Sequence, residues 1–138
     1  MKKEGYRKTL QWVLFLIAVH SICFGLVLII MPIEIIEFFG FRLYEKFFAI
    51  QGGVFHLIIS VAYLMAAKKP EQSVNLIILS CFAKFSAAVF LFLYFFIESQ
   101  IIMVLLSAIG DLLMGLAICY SYILFMKFQY LSEKSGIP

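Results

Sequence analysis

The chain has 138 residues, 64% of them apolar, and a net charge of +3. A soluble domain of this length is about half apolar and still leaves much of its surface in water; the surplus excludes an ordinary water-soluble fold and points toward lipid. The basic residues are scattered, without the aromatic-interleaved stripe of a nucleic-acid binder, so nucleic acid is not an expected partner.

The first apolar run spans about Thr9–Met31. Its basic opening, "MKKEGYRKTLQWVLFLIAVHSICFG", imitates a signal peptide, but the run is too long and no small-residue cleavage site follows. It reads as the first membrane helix. Further runs cover about Phe47–Ala67, Ser73–Ile97 and Ile101–Met126. Each meets the roughly 20-residue requirement for a helix crossing hydrocarbon. Continuous apolar runs exclude a membrane barrel, whose segments are short and alternating.

Between the first two runs lies "PIEIIEFFGFRLYEK". Pro32 suits a helix start and Gly40 a helix end, with Glu34 and Glu37 between them among apolar residues. A short helix lying in the membrane interface is expected here. The other connections, "KKPEQ" and "ESQ", are brief, and brief connections make antiparallel neighbours. The expected fold is therefore all-α: one polytopic membrane domain over residues 1–138, an antiparallel four-helix transmembrane bundle with an interfacial helix between helices 1 and 2.

Loop charges set the orientation. Lys2, Lys3, Arg7, Lys8, Lys68, Lys69, Lys127 and Lys134 fall on one side; Arg42 and Lys46, diluted by Glu34, Glu37 and Glu45, fall on the other. The positive-inside rule then places both termini in the cytoplasm, in what is expected to be a bacterial cytoplasmic membrane. Trp12, Tyr6, Tyr122, Phe128 and Tyr130 would mark the inner interface, and Phe38, Phe39, Tyr44 and Tyr94 the outer. Arg42 and Lys46 read as interface anchors, with contact to an anionic head group as the alternative.

Each predicted span carries one ionisable residue near its middle: His20, His56, Lys84 and Asp111. Counted from the assigned cytoplasmic ends, all four fall within roughly one helical turn of each other in depth. Small residues stand four before and four after three of them: Gly52 and Ser60 around His56, Ser80 and Ala88 around Lys84, Ser107 and Gly115 around Asp111. Residues four apart share a helix face, and small ones let helices approach closely.

A lone charge at mid-bilayer costs about 2.5–3.5 kcal/mol or more. Lys84 and Asp111, on adjacent helices and of opposite sign, relieve each other by pairing, with His20, His56, Gln51 and Ser107 available to complete the hydrogen bonding. Such a centre either fixes helix register and joins a partner, or binds a ligand, ion or proton. Two histidines on two helices could ligate haem. With Asp111 they could hold a metal, which Lys84 would oppose. A polar pocket for a quinone, a lipid head group or another amphiphile is the third reading. The cofactor stays open.

Cys23, Cys81 and Cys119 lie in separate apolar runs without C-x-x-C spacing and read as small apolar residues. No G-x-S-x-G, P-loop or dinucleotide fingerprint is present, and no catalytic residue is assigned.

Three stretches, "MPIEIIEFFGF", "AIQGGVFHLIIS" and "IGDLLMGLAICY", make the chain resemble the small DoxX-like membrane proteins. That resemblance implies a four-helix bundle and, by analogy with some members, membrane subunits of quinone-linked oxidoreductases. The expected function is a small-molecule-binding or accessory membrane protein that contacts lipid and works as a homo-oligomer or with a partner membrane protein. A proton- or ion-coupled transport component and a haem- or quinone-linked redox subunit are the alternatives.

Overall fold

A long apolar run in which Gly and Pro are sparse has only the helix as a way to satisfy its own backbone. The computed structural model describes residues 2–135, and its regular elements are all helical, with no strand among the described residues. In chain order these are α1 (Lys2–Ile30), α2 (Ile33–Phe38), α3 (Phe47–Lys68), a 3-10 turn (Pro70–Gln72), α4 (Val74–Ile97) and α5 (Ile102–Ser135). Four of them, α1, α3, α4 and α5, are long and apolar enough to cross a membrane.

Two helices outrun their apolar stretches. α1 begins at Lys2 rather than near Thr9, and α5 continues to Ser135 rather than stopping near Met126. Hydropathy marks where a helix would enter lipid, not where it ends, since Lys, Glu, Gln and Arg are good helix formers. The added first turns carry their own support. Glu4 and Lys8 pair at 3.3 Å one turn apart, and the Thr9 hydroxyl donates to the Gly5 carbonyl at 3.1 Å. The side chains of Lys2 and Lys3, counted above among the orienting charges, lie outside those described.

Pro32, with extended backbone, precedes α2. Gly40 stops it: its N–H donates to the Glu37 carbonyl at 2.8 Å while its φ is +96°, a left-handed conformation that suits glycine. On α2, Ile36 is buried while Glu34 and Glu37 are exposed. Lys46 does more than anchor an interface. Its Nζ donates to the Ile29 carbonyl at 2.6 Å, satisfying one of the last α1 carbonyls with a cation at the negative helix end.

α1 lies along α3 and α4 along α5, with α1 also touching α5; α3 and α4 make the slightest pairing. The α1–α3 crossing is set by Gly25 and Gly53. A Cβ on Gly53 would stand 2.6 Å from the Gly25 carbonyl oxygen, and one on Gly25 would stand 2.8 Å from that of Gly53. Far along the same pair, Gln11 Nε2 donates to the Lys68 carbonyl at 3.4 Å. Near that end, Arg7 reaches Glu71 at 3.1 Å and the Tyr6 and Phe128 rings stack at 4.1 Å.

The densest apolar packing occupies this end. Leu10, Leu14, Ala18, Tyr63, Ala66, Ile77, Ile118 and Phe125 form one buried cluster. Outward faces stay apolar, with Leu16, Phe48, Ile58, Phe82 and Leu113 all exposed. Such faces suit lipid as a solvent.

Candidate functional site

Lys84 stands in the middle of α4 and Asp111 in the first half of α5. The structure brings them together: Lys84 Nζ donates to Asp111 Oδ1 at 2.6 Å, and their side chains are only 4% and 11% exposed. Gly115, one turn beyond Asp111, permits this approach. A Cβ there would meet Phe85 at 3.2 Å and Lys84 Cβ at 3.4 Å. Ser80 and Ala88, a turn either side of Lys84, are buried in the same seam.

These small residues supply room rather than polarity. Ser80 returns its hydroxyl to the Leu76 carbonyl and Ser60 to the Leu57 carbonyl, each at 2.6 Å. Beside His56, the residue that makes the closest helix approach is Gly53. A Cβ on Gly52 would meet only Leu28, at 3.7 Å.

Two cavities flank the ion pair. The first, about 410 Å³, is walled by His20, Phe24 and Leu28 of α1, His56 of α3, Ser107, Gly110 and Asp111 of α5, and Phe41 from the connection after α2. The second, about 320 Å³, lies between α3 and α4, walled by Phe55, Ile59, Tyr63, Ala83, Ala87 and Phe90, with Lys84 on its surface. His56, Asp111 and Leu91 border both. His56 Nδ1 is buried without a hydrogen-bond partner among the described residues.

Of the residues singled out in the sequence, Lys84, Asp111 and His56 therefore converge. Ser107 lines the first cavity one turn before Asp111, half-buried. His20 lines the same cavity while largely exposed. Gln51 is exposed on α3 and belongs to neither wall.

Sequence reasoning passed over two aromatic residues. Tyr63 is 1% exposed, and its ring centroid lies 5.8 Å from Lys84 Nζ. That distance is within the range of a cation–π contact, which strengthens when desolvated. Phe24 contacts both imidazoles, stacked on His20 at 6.0 Å and T-shaped against His56 at 5.0 Å. Helical spacing held the signal: Tyr63 follows His56 by seven residues and Phe24 follows His20 by four, so each shares a face with its histidine.

Chemically, the centre is an internally neutralised ion pair that keeps spare capacity. An ammonium has three N–H donors and a carboxylate two oxygens, and one bond between them leaves the rest for other groups. No group of three or more His, Cys, Asp or Glu side chains among the described residues is placed to hold a metal ion. Comparison of the chain with protein families, with curated proteins and with solved structures finds no match.

Proposed function

We propose that this chain is a small integral membrane protein that binds an amphiphilic small molecule beside the Lys84–Asp111 pair, acting as an accessory component with a second copy or a partner membrane protein. The long helices form an antiparallel transmembrane bundle with both termini cytoplasmic and α2 in the outer interface. Support for the direction of the helices comes from contacts that join opposite ends, Gly25 with Gly53 and Gln11 with Lys68. The resemblance to DoxX-like proteins belongs to the same proposal and assigns no residue a role.

One observation carries the binding reading: Asp111 borders both cavities and Lys84 borders the second, so the buried pair has open space beside it. A pair that served only helix register would be sealed, because protein interiors pack to crystal density with few voids larger than water. The test is mass spectrometry of small molecules retained by the purified protein. Wild type retains a lipophilic compound, Lys84→Met loses it, and adding Asp111→Asn to Lys84→Met restores part of it. Unchanged retention, stability and oligomeric state in Lys84→Met and in Asp111→Asn would overturn the reading.

A transport component is the second reading, favoured by Asp111 and His56 bordering both cavities. It requires pH-dependent flux in liposomes that Lys84→Met abolishes. A redox subunit would declare itself by a Soret band in the purified protein, although the Phe24 ring set against both imidazoles suits bis-histidine ligation poorly.

A further inference from the structure

Among the helix pairs, α3 and α4 are sequence neighbours that touch least. The second cavity opens along this seam. On α4 its wall is formed by Lys84, Phe90 and Leu91 together with Ala83 and Ala87, whose short side chains leave space between the longer ones. On the flanks stand Phe55 and Phe90, respectively 60% and 63% exposed on the apolar outer surface. The inner end of the seam reaches His56 and Asp111, which also border the first cavity.

The far wall has a definite chemistry. Lys84 and Asp111 cancel each other's charge, so a ligand with a net charge would be buried without a counter-ion. His56 Nδ1 lacks a partner among the described residues and can bond a hydroxyl or a carbonyl, according to its tautomer. The rings of His20, Phe24 and His56 offer an aromatic wall in the first cavity, and flat rings pack well on such walls. Both cavities fall within the roughly 300–1,000 Å³ range of small-molecule sites.

We infer that the α3–α4 seam is a lateral doorway through which an uncharged, planar-ringed lipophile carrying a carbonyl or hydroxyl reaches the His56–Asp111 wall directly from the bilayer. This rests on the binding reading above and adds the class of ligand and its path. A prenylated quinone or phenol has this chemistry; a fatty acid does not, because its head is charged, and a phospholipid does not, because its head carries separated charges and no planar ring.

The test measures uptake of a radiolabelled benzoquinone bearing a single isoprene unit by full-length protein in phosphatidylcholine nanodiscs. Oleate serves as the charged competitor. Ala87→Phe fills the doorway, and Val89→Phe adds the same ring at a position 59% exposed on the outer face. The wild type and Val89→Phe take up the quinone, and excess oleate does not displace it. Ala87→Phe slows uptake by about tenfold or more, as expected from overfilling a tight site. Should Ala87→Phe lose its thermal unfolding transition, Ala83→Leu blocks the same wall with less bulk.

Equal uptake rates in Ala87→Phe and Val89→Phe would overturn the doorway and leave the binding site standing. Displacement by oleate, or no quinone uptake while another compound is retained in a Lys84-dependent manner, would overturn the ligand class alone. No uptake together with retention indifferent to Lys84→Met removes both this inference and the reading beneath it.

Discussion

Lys84 Nζ and Asp111 Oδ1, from helices α4 and α5, meet at 2.6 Å with both side chains almost fully buried. Removing one member of such a pair leaves an uncompensated charge, which typically costs about 3–5 kcal/mol. Lys84→Met and Asp111→Asn should each lower the thermal stability of the detergent-solubilised protein sharply, and combining them should recover most of the loss. Additive effects in this double-mutant cycle would show that the two side chains do not depend on each other.

Gly25 and Gly53 make a second contact that tolerates little change. Gly53→Ala would put a Cβ 2.6 Å from the Gly25 carbonyl oxygen and 2.7 Å from Ile29 Cγ1, whereas a Cβ on Gly52 meets only Leu28, at 3.7 Å. Forcing backbone apart costs about 1–3 kcal/mol. Unfolding measurements should therefore separate two adjacent glycines, with Gly53→Ala destabilised and Gly52→Ala close to wild type. Similar values for both would contradict the described α1–α3 crossing.

Cys81 and Cys119 hold their sulfurs 3.1 Å apart across α4 and α5, both as free thiols, while Cys23 lies exposed on α1. A disulfide needs the sulfurs at about 2.05 Å, a closure of about 1 Å. Mild copper-phenanthroline oxidation should join Cys81 to Cys119 within one chain and leave Cys23 outside the cross-link. Peptide mapping that finds Cys23 in the cross-link, or no cross-link at all, would count against the α4–α5 register.

The lysine at the start of α3 should matter more than its neighbouring arginine. Lys46 donates to the Ile29 carbonyl at 2.6 Å, whereas Arg42 is exposed. Partly buried hydrogen bonds from charged groups contribute about 1 kcal/mol or somewhat more. Lys46→Met should lower the unfolding temperature measurably while Arg42→Met leaves it within error; the reverse order would remove the capping role.

Much of this arrangement was legible in the chain because hydrocarbon and charge are such strong constraints. Four long apolar runs announced four long helices, and opposite charges at one depth on adjacent runs announced Lys84 with Asp111. What depends on helix rotation was not legible. Gln51 shares α3 with His56 but stands five residues before it, well round the helix, and it faces outward. Gly53, not Gly52, makes the close crossing because one residue turns the backbone by about 100°. The slight α3–α4 pairing, along which the second cavity lies, accompanies the contacts of α1 with both α3 and α5, and no local sequence pattern encodes that choice. The partner of Lys46 was hidden for the same reason: a backbone carbonyl leaves no trace in residue identity.

The ion pair also bears on how the chain is built. Its two members belong to the last two long helices, joined only by residues 98–101. In a bilayer, α4 emerging alone from the ribosome would carry a naked ammonium in its midsection. The apolar residues of α4 outweigh the cost of that charge, and the carboxylate of α5 removes it, so the two helices should pack as a hairpin once both are in the membrane. A chain truncated before Asp111 should be less stable in the membrane than one that includes α5.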